Sequence, residues 1–348
     1  MRFTLVCLVV SALGCGDDGV DQPPPREVML EAVVGADGLS ADVPFEIPEG
    51  TRSVTIVVEG AKDSLYALGA FAMGDGAELV NLPAGAPGPA MQATYEQEQI
   101  GQLAGDLYQS IRLGTFTHVY PYRPGQIVVE GNAYLRVASN RPGPVKIRIL
   151  MPEDDGANAL PLNIYIVSDT LADPDTPAFR SEVTRLLAQA NVNVTFNLVE
   201  RIPGTALERI TDFSEPQEAP TSMSAMLPGL VADRMTTGLD IFFVEALPSG
   251  VGGLALGTPG PPIRGTYYFG VVVRGGLPAV ELARITAHEA GHFLGLQHVQ
   301  NRGISGRIYP DPLDDTTPGV DNLMEGGSLL TPHQAFALSR SALLEVRP

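Results

Sequence analysis

The residues best suited to chemistry lie in one stretch, HEAGHFLGLQH (residues 288–298), which holds three of the chain's five histidines. His288 and His292 are four positions apart, so on a helix both imidazoles project from one face and can reach a single ion. Three positions further on, Gly295 permits the positive φ with which a chain leaves a helix sharply. Such a turn brings His298 to the same ion, so the spacing predicts a metal site with three histidine ligands.

The residue beside the first histidine decides what such a metal would do. Three protein ligands leave a fourth position for water, which is typical of catalytic zinc (Zn2+), whereas structural zinc is closed by four protein ligands. Glu289 is rotated by roughly 100° from His288 around the helix, so we expect its carboxylate beside the metal, where it can accept a proton from water. An ordinary amphipathic helix is the plainer interpretation, but five fixed residues at this spacing favour the zinc site.

The first residues of the chain predict where the protein is located. Residues 1–15, MRFTLVCLVVSALGC, contain Arg2 and then an apolar run of about a dozen residues, too short to span a bilayer but typical of an export signal. The end of this run resembles a bacterial lipobox, which implies cleavage before Cys15 and lipid attached to its sulfur as a membrane anchor. An ordinary cleaved signal is the alternative. Both predict export, to the cell envelope as a periplasmic or outer-surface lipoprotein, or into the medium.

The positions of the cysteines and the net charge limit the possible metal ligands and partners. The chain's two cysteines, Cys7 and Cys15, both lie in the signal region, so the mature fold has no disulfide and no cysteine ligand for zinc. The formal net charge of −18 repels a phosphate backbone, so we expect no nucleic-acid partner. Hydrophobic residues make up 44% of the chain, which is enough for a core in each of two domains.

The first half of the chain predicts an all-β domain. Residues 16–27 are an acidic, proline-rich tether. Residues 28–150 contain short β-branched runs separated by glycine and proline turns, which indicates a β-sandwich accessory domain. Residues 92–113 fit either a helix or a long loop. Residues 151–160, MPEDDGANAL, have the composition of a linker.

The second half must position the histidines. Residues 161–348 alternate strands with helices, which predicts an α/β (α+β) domain with a mixed, twisted sheet. The helix that carries the histidines is expected to begin near Pro278, because proline suits the first helical position. A last helix follows Thr331, whose side chain can cap it, while Gln334 can bond back in a capping box.

The stretch 288–298 resembles the zinc motif of the metzincin metallopeptidases. That clan has a methionine-bearing turn beneath the metal, and Met324 in DNLMEGG fits this role. Within the clan, DPLDDTTPGVDNLM and LTPHQ are most similar to the pappalysin branch, with the matrixin-like branch second. The resemblance covers roughly residues 160–348. It also implies that residues 250–257, GVGGLALG, form an edge strand to which an extended peptide adds, although a plain loop is equally compatible.

Four further carboxylates could hold a second ion. Asp311, Asp314, Asp315 and Asp321 lie within eleven residues, and calcium (Ca2+) favours such oxygen ligands, although a solvated acidic loop also explains them. The two remaining histidines, His118 and His333, are expected to be structural or exposed rather than ligands.

Together these features predict a zinc-dependent endopeptidase that hydrolyses protein or peptide substrates. Zinc-activated water is the nucleophile, and Glu289 is the general base that then gives its proton to the leaving amine. The alternative is a cell-surface binding protein in which the peptidase-like domain is not catalytic and the β-sandwich binds the ligand. The intact Glu289 favours the enzyme, because a structural zinc needs no general base beside it.

Overall fold

The computed structural model describes residues 26–81, 108–154, 156, 158–202, 205–211, 226–266, 268–302 and 308–344. Cys15, the signal region and nearly all of the tether lie outside these residues, as does most of the 92–113 stretch. None of the described helices is long and apolar enough to cross a membrane. The described residues form two compact units.

The first unit consists of strands and contains the described residues through Tyr120 and in Ile127–Asp155. Its strands are β1 (Arg26–Val34), β2 (Val43–Ile47), β3 (Val54–Glu59), β4 (Tyr66–Ala72), β5 (Glu78–Asn81), β6 (Tyr108–Arg112), β7 (Thr115–Tyr120), β8 (Gly131–Ser139) and β9 (Gly143–Met151). They form two antiparallel sheets, with the strand orders β1-β9-β3-β7-β6 and β2-β8-β4-β5.

One hydrophobic core draws side chains from both of these sheets. Ile56 in β3 and Leu135 in β8 are fully buried in it, and Phe45 stacks on Phe71 with 6.4 Å between ring centroids. His118 in β7 is also fully buried and meets Phe71 edge-on at 6.0 Å. His118 is therefore a core residue of the first unit.

The second unit contains the predicted site. Its strands are β10 (Ala159–Val167), β11 (Asn193–Arg201), β12 (Leu239–Val244), β13 (Gly253–Ala255), β14 (Val271–Arg274), β15 (Gln300–Arg302) and β16 (Ile308–Pro310). Its helices are α1 (Pro177–Ala188), α2 (Ala279–Phe293) and α3 (Pro332–Leu338), with short 3-10 helices at Ala206–Glu208, Leu227–Val231 and Leu323–Glu325. Five strands form a mixed sheet in the order β11-β10-β12-β14-β13, in which only β13 is antiparallel to its neighbour. The unit is thus a mixed arrangement of sheets and a few helices.

The central strands of this sheet are covered on both faces. Every residue of β10 and β12 is buried, which explains why their sequences are continuous apolar runs rather than alternating ones. Helix α1 begins after the N-cap Thr176 and buries Phe179 edge-on against Phe243 of β12. It also packs beside α2, which in turn contacts β13 and β14. The sheet edge at β13 therefore lies against the helix that carries the histidines.

The loop between β13 and β14 is held to this framework by an ion pair between the partly exposed Arg264 and the buried Asp240. Arg264 donates to the Asp240 carboxylate at 2.8 Å and to the Tyr165 hydroxyl at 2.8 Å. Burial raises the pKa of Asp240 to about 6, and the Arg264 charge opposes that rise. At its other end the loop meets α2, where the Gly260 N–H donates to the Phe293 carbonyl at 2.8 Å. The loop thus fixes the last residue of the helix.

Two local expectations from the sequence differ from the structure. Residues 108–112, at the end of the ambiguous 92–113 stretch, form strand β6, because they pair with β7 along their whole length. Pro278 is the N-cap of α2 rather than its first helical residue, since its ψ of 143° is extended. The helix therefore begins one residue later than expected.

Candidate metal centre

Helix α2 ends in a turn that depends on glycine. The Leu296 N–H donates to the Gly291 carbonyl at 2.8 Å, and the Gly295 N–H donates to the His292 carbonyl at 2.9 Å. These two bonds are the Schellman pattern, which requires a residue with positive φ after the helix. Gly295 has φ +120°, a value that residues with a side chain rarely adopt. This turn lets His298 return toward the helix.

The three histidines of the motif converge on one point. His288 Nε2 and His292 Nε2 each lie 3.1 Å from His298 Nε2. Nitrogen ligands held at about 2.0–2.1 Å from one zinc ion in a near-tetrahedral site are roughly 3.1–3.4 Å apart. Within the described part of the chain, these histidines form the one group of three or more candidate ligands. The spacing of the nitrogen atoms therefore fits a single metal ion.

The outer nitrogens of two rings define which tautomer they hold. His288 Nδ1 lies 2.7 Å from the Leu323 carbonyl, and His292 Nδ1 lies 2.7 Å from the Leu296 carbonyl. A carbonyl only accepts, so each Nδ1 must carry the proton and each Nε2 must present a lone pair. These two lone pairs converge on His298 Nε2, which lies 3.1 Å from each. The donor set therefore fits zinc bound through Nε2 atoms.

The surroundings keep all three rings neutral, as metal binding requires. Burial lowers the pKa of His292 well below its usual value, and repulsion from His288 and His298 lowers it further. Burial also lowers the pKa of His288. His298 is exposed as a residue, but desolvation of its ring, together with repulsion from His288, lowers its pKa to about 4.

Glu289 is buried against the edge strand rather than included among the convergent ligands. It is 7% exposed, and burial raises its pKa to about 8, while a hydrogen bond from the backbone N–H of Ala255 opposes the rise. A Cβ atom at Gly253 would lie 2.5 Å from Glu289 Cγ. Glycine at position 253 therefore allows β13 to approach this carboxyl group closely.

The second glycine of the motif makes room for a methionine. Met324 is fully buried, and a Cβ atom at Gly291 would lie 2.9 Å from Met324 Sδ. Met324 is part of a 3-10 helix whose C-cap, Gly326, has φ +80°. Within HEAGHFLGLQH, one glycine thus admits Met324 beneath the helix and the other turns the chain toward His298.

Residues 311–334, which we call the support segment, hold this methionine in place. Both bonds of the expected capping box are present, from Gln334 N–H to Thr331 Oγ1 and from Thr331 N–H to Gln334 Oε1. Asn322 accepts from the Met324 N–H at 2.9 Å through its side chain. Gln189, outside this segment, donates to the Ser328 carbonyl at 2.8 Å.

The contacts of the four aspartates do not support the calcium prediction. Asp311 accepts from the Leu313 N–H and from the Thr316 hydroxyl, Asp315 from Thr331 and His333, and Asp321 from the N–H and hydroxyl of Ser328. Asp314 is exposed. The carboxylates thus serve separate turns and a helix N-terminus, and they are not grouped as ion ligands among the described residues. His333 is partly exposed and lies 3.7 Å from Asp315, away from the histidine group.

Three contacts that support the site were not predicted from the sequence: Ala255 N–H to Glu289, Asn322 to Met324, and Asn322 to Gln334. Ala255 acts through its backbone N–H, which no sequence pattern marks. Asn322 forms a two-residue Asx contact with Met324, and its position two residues before that methionine is the one available signal. The buried pair of Asn322 with Gln334 joins residues twelve apart and has no local signature.

Comparisons with known proteins add little to this geometry. No family model matches the chain, and no curated protein matches it. Among solved structures, metalloproteinase-II from Bacteroides fragilis is similar at 14% identity, over 53% of this chain and 63% of that one, with a TM-score of 0.29. Archaemetzincin from Methanopyrus kandleri is similar at 15% identity, over 53% of this chain and 88% of that one, with a TM-score of 0.25. The chain spans less than two thirds of the length of the first of these proteins. Because both TM-scores are low, neither similarity indicates a function for this chain.

Proposed function

We propose that this chain is a zinc-dependent endopeptidase of the metzincin type, of the pappalysin branch. The observation that carries the proposal is the convergence of three histidine Nε2 atoms beside a buried glutamate on the same helix. The spacing of the motif, Met324 beneath Gly291 and the capped last helix support it.

His288, His292 and His298 would hold the zinc ion. Zinc, when bound, polarises the carbonyl of the substrate and lowers the pKa of water toward about 7. The protein supplies the fixed lone pairs, through the hydrogen bonds from Nδ1 to backbone carbonyls. It also supplies a base, because Glu289 is the nearest carboxyl group along the helix.

Glu289 would take a proton from the attacking water and give it to the leaving amine. Burial raises its pKa to about 8, and a nearby cation would favour its ionised form. A base is most effective when its pKa lies near the working pH. The N–H of Ala255 holds the carboxylate in place, so the edge strand and the base are linked.

Strand β13 would bind the substrate. It is the outermost of the described strands of its sheet and consists of Gly253, Leu254 and Ala255. An extended peptide that adds to this edge gains backbone hydrogen bonds with little demand on its side chains. The proposed substrate is therefore an unstructured protein segment or peptide.

We further propose export to the cell envelope. The signal-like residues 1–15 support it, with Cys15 as the lipid-bearing residue, and the strand-rich first unit would be an accessory sandwich domain. Mass spectrometry of Cys15 from membranes tests the anchor. An intact N-terminus in the soluble fraction would contradict it.

The function is tested on the full chain, purified in detergent. Metal content and casein cleavage are measured with and without a chelator. We expect one zinc per chain and cleavage that the chelator abolishes. Glu289→Ala should keep the zinc and reduce the cleavage rate by roughly 10²–10⁴-fold, the usual contribution of a general base.

The matched control is Glu281→Ala, which removes an exposed carboxylate from the first turn of the same helix. It should retain both zinc and activity. Zinc binding without cleavage of any unstructured substrate would favour the binding-protein alternative. A wild-type chain that binds no zinc would overturn the proposal.

A further inference from the structure

Two amide side chains of the support segment form a buried pair. Asn322 Nδ2 donates to Gln334 Oε1 at 2.9 Å, and Gln334 Nε2 donates to Asn322 Oδ1 at 3.2 Å. Asn322 is 4% exposed and Gln334 is fully buried. Such groups are stable inside a protein only when they are hydrogen-bonded, so the pair holds both side chains in one relative position.

Backbone donors determine the orientation of both amides. Asn322 Oδ1 also accepts from the Met324 N–H at 2.9 Å, so this atom must be oxygen. Gln334 Oε1 also accepts from the Thr331 N–H at 3.0 Å, which fixes that amide in the same way. The pair therefore has a single arrangement, and it joins the turn around Met324 to the first turn of α3.

This pair is connected to a metal ligand through one carbonyl group. Leu323 lies between Asn322 and Met324, and its carbonyl oxygen is 2.7 Å from His288 Nδ1. The Asn322 side chain bonds the N–H directly after that carbonyl. A displaced Asn322 side chain would thus turn the Leu323 peptide and move the acceptor of His288.

The helix that carries Gln334 is itself anchored. Asp315 accepts from the Thr331 hydroxyl at 2.8 Å and from the His333 N–H at 2.9 Å. The carboxylate therefore fixes the start of α3, and through it the position of Gln334. A continuous set of hydrogen bonds runs from Asp315 to the imidazole of His288.

We propose that Asn322 and Gln334 are positioning residues, which set the orientation and tautomer of His288 through the Leu323 carbonyl and thereby the strength of metal binding. Outer hydrogen-bond partners of this kind hold a ligand ring in place and keep its proton on the far nitrogen. The inference rests on the proposed function only for metal binding, since the orientation of His288 can be measured without any catalytic turnover.

The test compares Gln334→Met with the wild-type full chain. Methionine has a similar volume but neither donates to Asn322 nor accepts from Thr331. Zinc affinity is measured by competition with a chelator, the visible spectrum of the cobalt-substituted chain reports ligand geometry, and proton–nitrogen NMR follows the Nδ1 proton of His288. We expect zinc affinity to fall about 10–100-fold, the cobalt spectrum to change, and the Nδ1 proton to exchange faster.

The matched control is Gln189→Met. Gln189 also binds the support segment, through the Ser328 carbonyl at 2.8 Å and the Leu330 N–H at 3.2 Å, but it does not contact Asn322. It should leave zinc affinity within about 3-fold of wild type, well below the usual effect of an outer-shell change. If Gln334→Met fails to fold, Gln334→Asn decides on the same measurements, because the shorter amide adds no charge to this buried position but no longer reaches Asn322.

Unchanged zinc affinity and cobalt spectrum in a folded Gln334 variant would overturn the inference and leave the pair a purely structural role. An equal loss in Gln189→Met would also overturn it, since general loosening would then be the cause. A wild-type chain without zinc affinity would contradict the proposed function instead. In that case the Nδ1 proton of His288 in the two variants would still decide the inference.

Discussion

The helix and turn at residues 279–298, which we call the ligand segment, differ from the support segment in how they are held. In the ligand segment, the geometry follows from the helical period and from backbone bonds within a few residues, such as Leu296 to Gly291. The support segment depends on side chains that are far apart in the chain, such as Gln189 and Ser328. The candidate metal centre thus depends both on local backbone geometry and on side-chain contacts between residues distant in the chain.

The two segments also respond to pH in opposite directions. The histidines have pKa values lowered in the fold, so their neutral forms stabilise it above about pH 6.5 and this contribution is lost as the pH falls. Burial raises the pKa of Asp311 to about 6, so its protonated form stabilises the fold at low pH and this contribution is lost as the pH rises. The pH dependence of stability therefore distinguishes the contribution of the histidines from that of Asp311.

The largest expected effect is loss of a ligand. His292→Ala removes one of three converging nitrogens and should weaken zinc binding by more than about 100-fold, beyond the range typical of outer partners. Chelator competition measures the change. His333→Ala, the control in the support segment, should retain wild-type affinity. Equal affinities in the two variants would mean that the motif does not hold the metal.

Asp311→Asn should change how stability depends on pH. Between pH 4 and pH 7, the variant should gain up to about 3 kcal/mol on the wild type, because a pKa raised from 3.8 to about 6 opposes folding as the group ionises. Urea unfolding of the metal-free chain at each pH measures this. Asp314→Asn, which removes an exposed carboxylate of the same segment, is the control. Parallel curves for Asp311→Asn and wild type would contradict the expectation.

Gly295→Ala tests the turn that ends helix α2. A side chain at φ +120° is strained, so we expect a loss of about 1–3 kcal/mol in stability together with weaker zinc binding. Gly250→Ala is matched, because Gly250 also has positive φ, at +86°, and has open space around it. It should reduce stability alone. Zinc affinity that survives in Gly295→Ala would show that the turn does not position His298.

The smallest effect is expected at the methionine. Met324→Leu conserves volume but places a branched carbon near Gly291, so it should cost about 1 kcal/mol of stability and leave the zinc affinity nearly unchanged. The melting temperature measures it. Met235→Leu, at a fully exposed methionine, is the control and should have no effect. A large loss of zinc affinity in Met324→Leu would assign the sulfur a role beyond packing.

The comparison between the segments also explains what sequence could predict. Helical spacing and a glycine turn are encoded within eleven residues, so the convergence of His288, His292 and His298 follows from the pattern. The capping box of Thr331 and Gln334 is similarly local. Long apolar runs predicted the central strands β10 and β12, because both of their faces are covered.

What sequence could not predict depends on partners distant along the chain. The structure does not support the calcium prediction, because acidic residues close in sequence accept hydrogen bonds from different backbone groups. The amide pair of Asn322 and Gln334 and the loop anchored by Arg264 on Asp240 arise only when separate elements pack. Strand β6 was ambiguous because its partner β7, rather than its own pattern, makes it a strand.

The contact between Gly291 and Met324 has a consequence for oxidative damage. Oxidation would add an oxygen atom to a sulfur that already leaves no room for a Cβ atom, and this sulfur is fully shielded from water. Met235 is fully exposed and Met226 is half exposed. Peroxide should therefore convert the surface methionines to sulfoxides first, so that the metal centre keeps its geometry while the surface is oxidised.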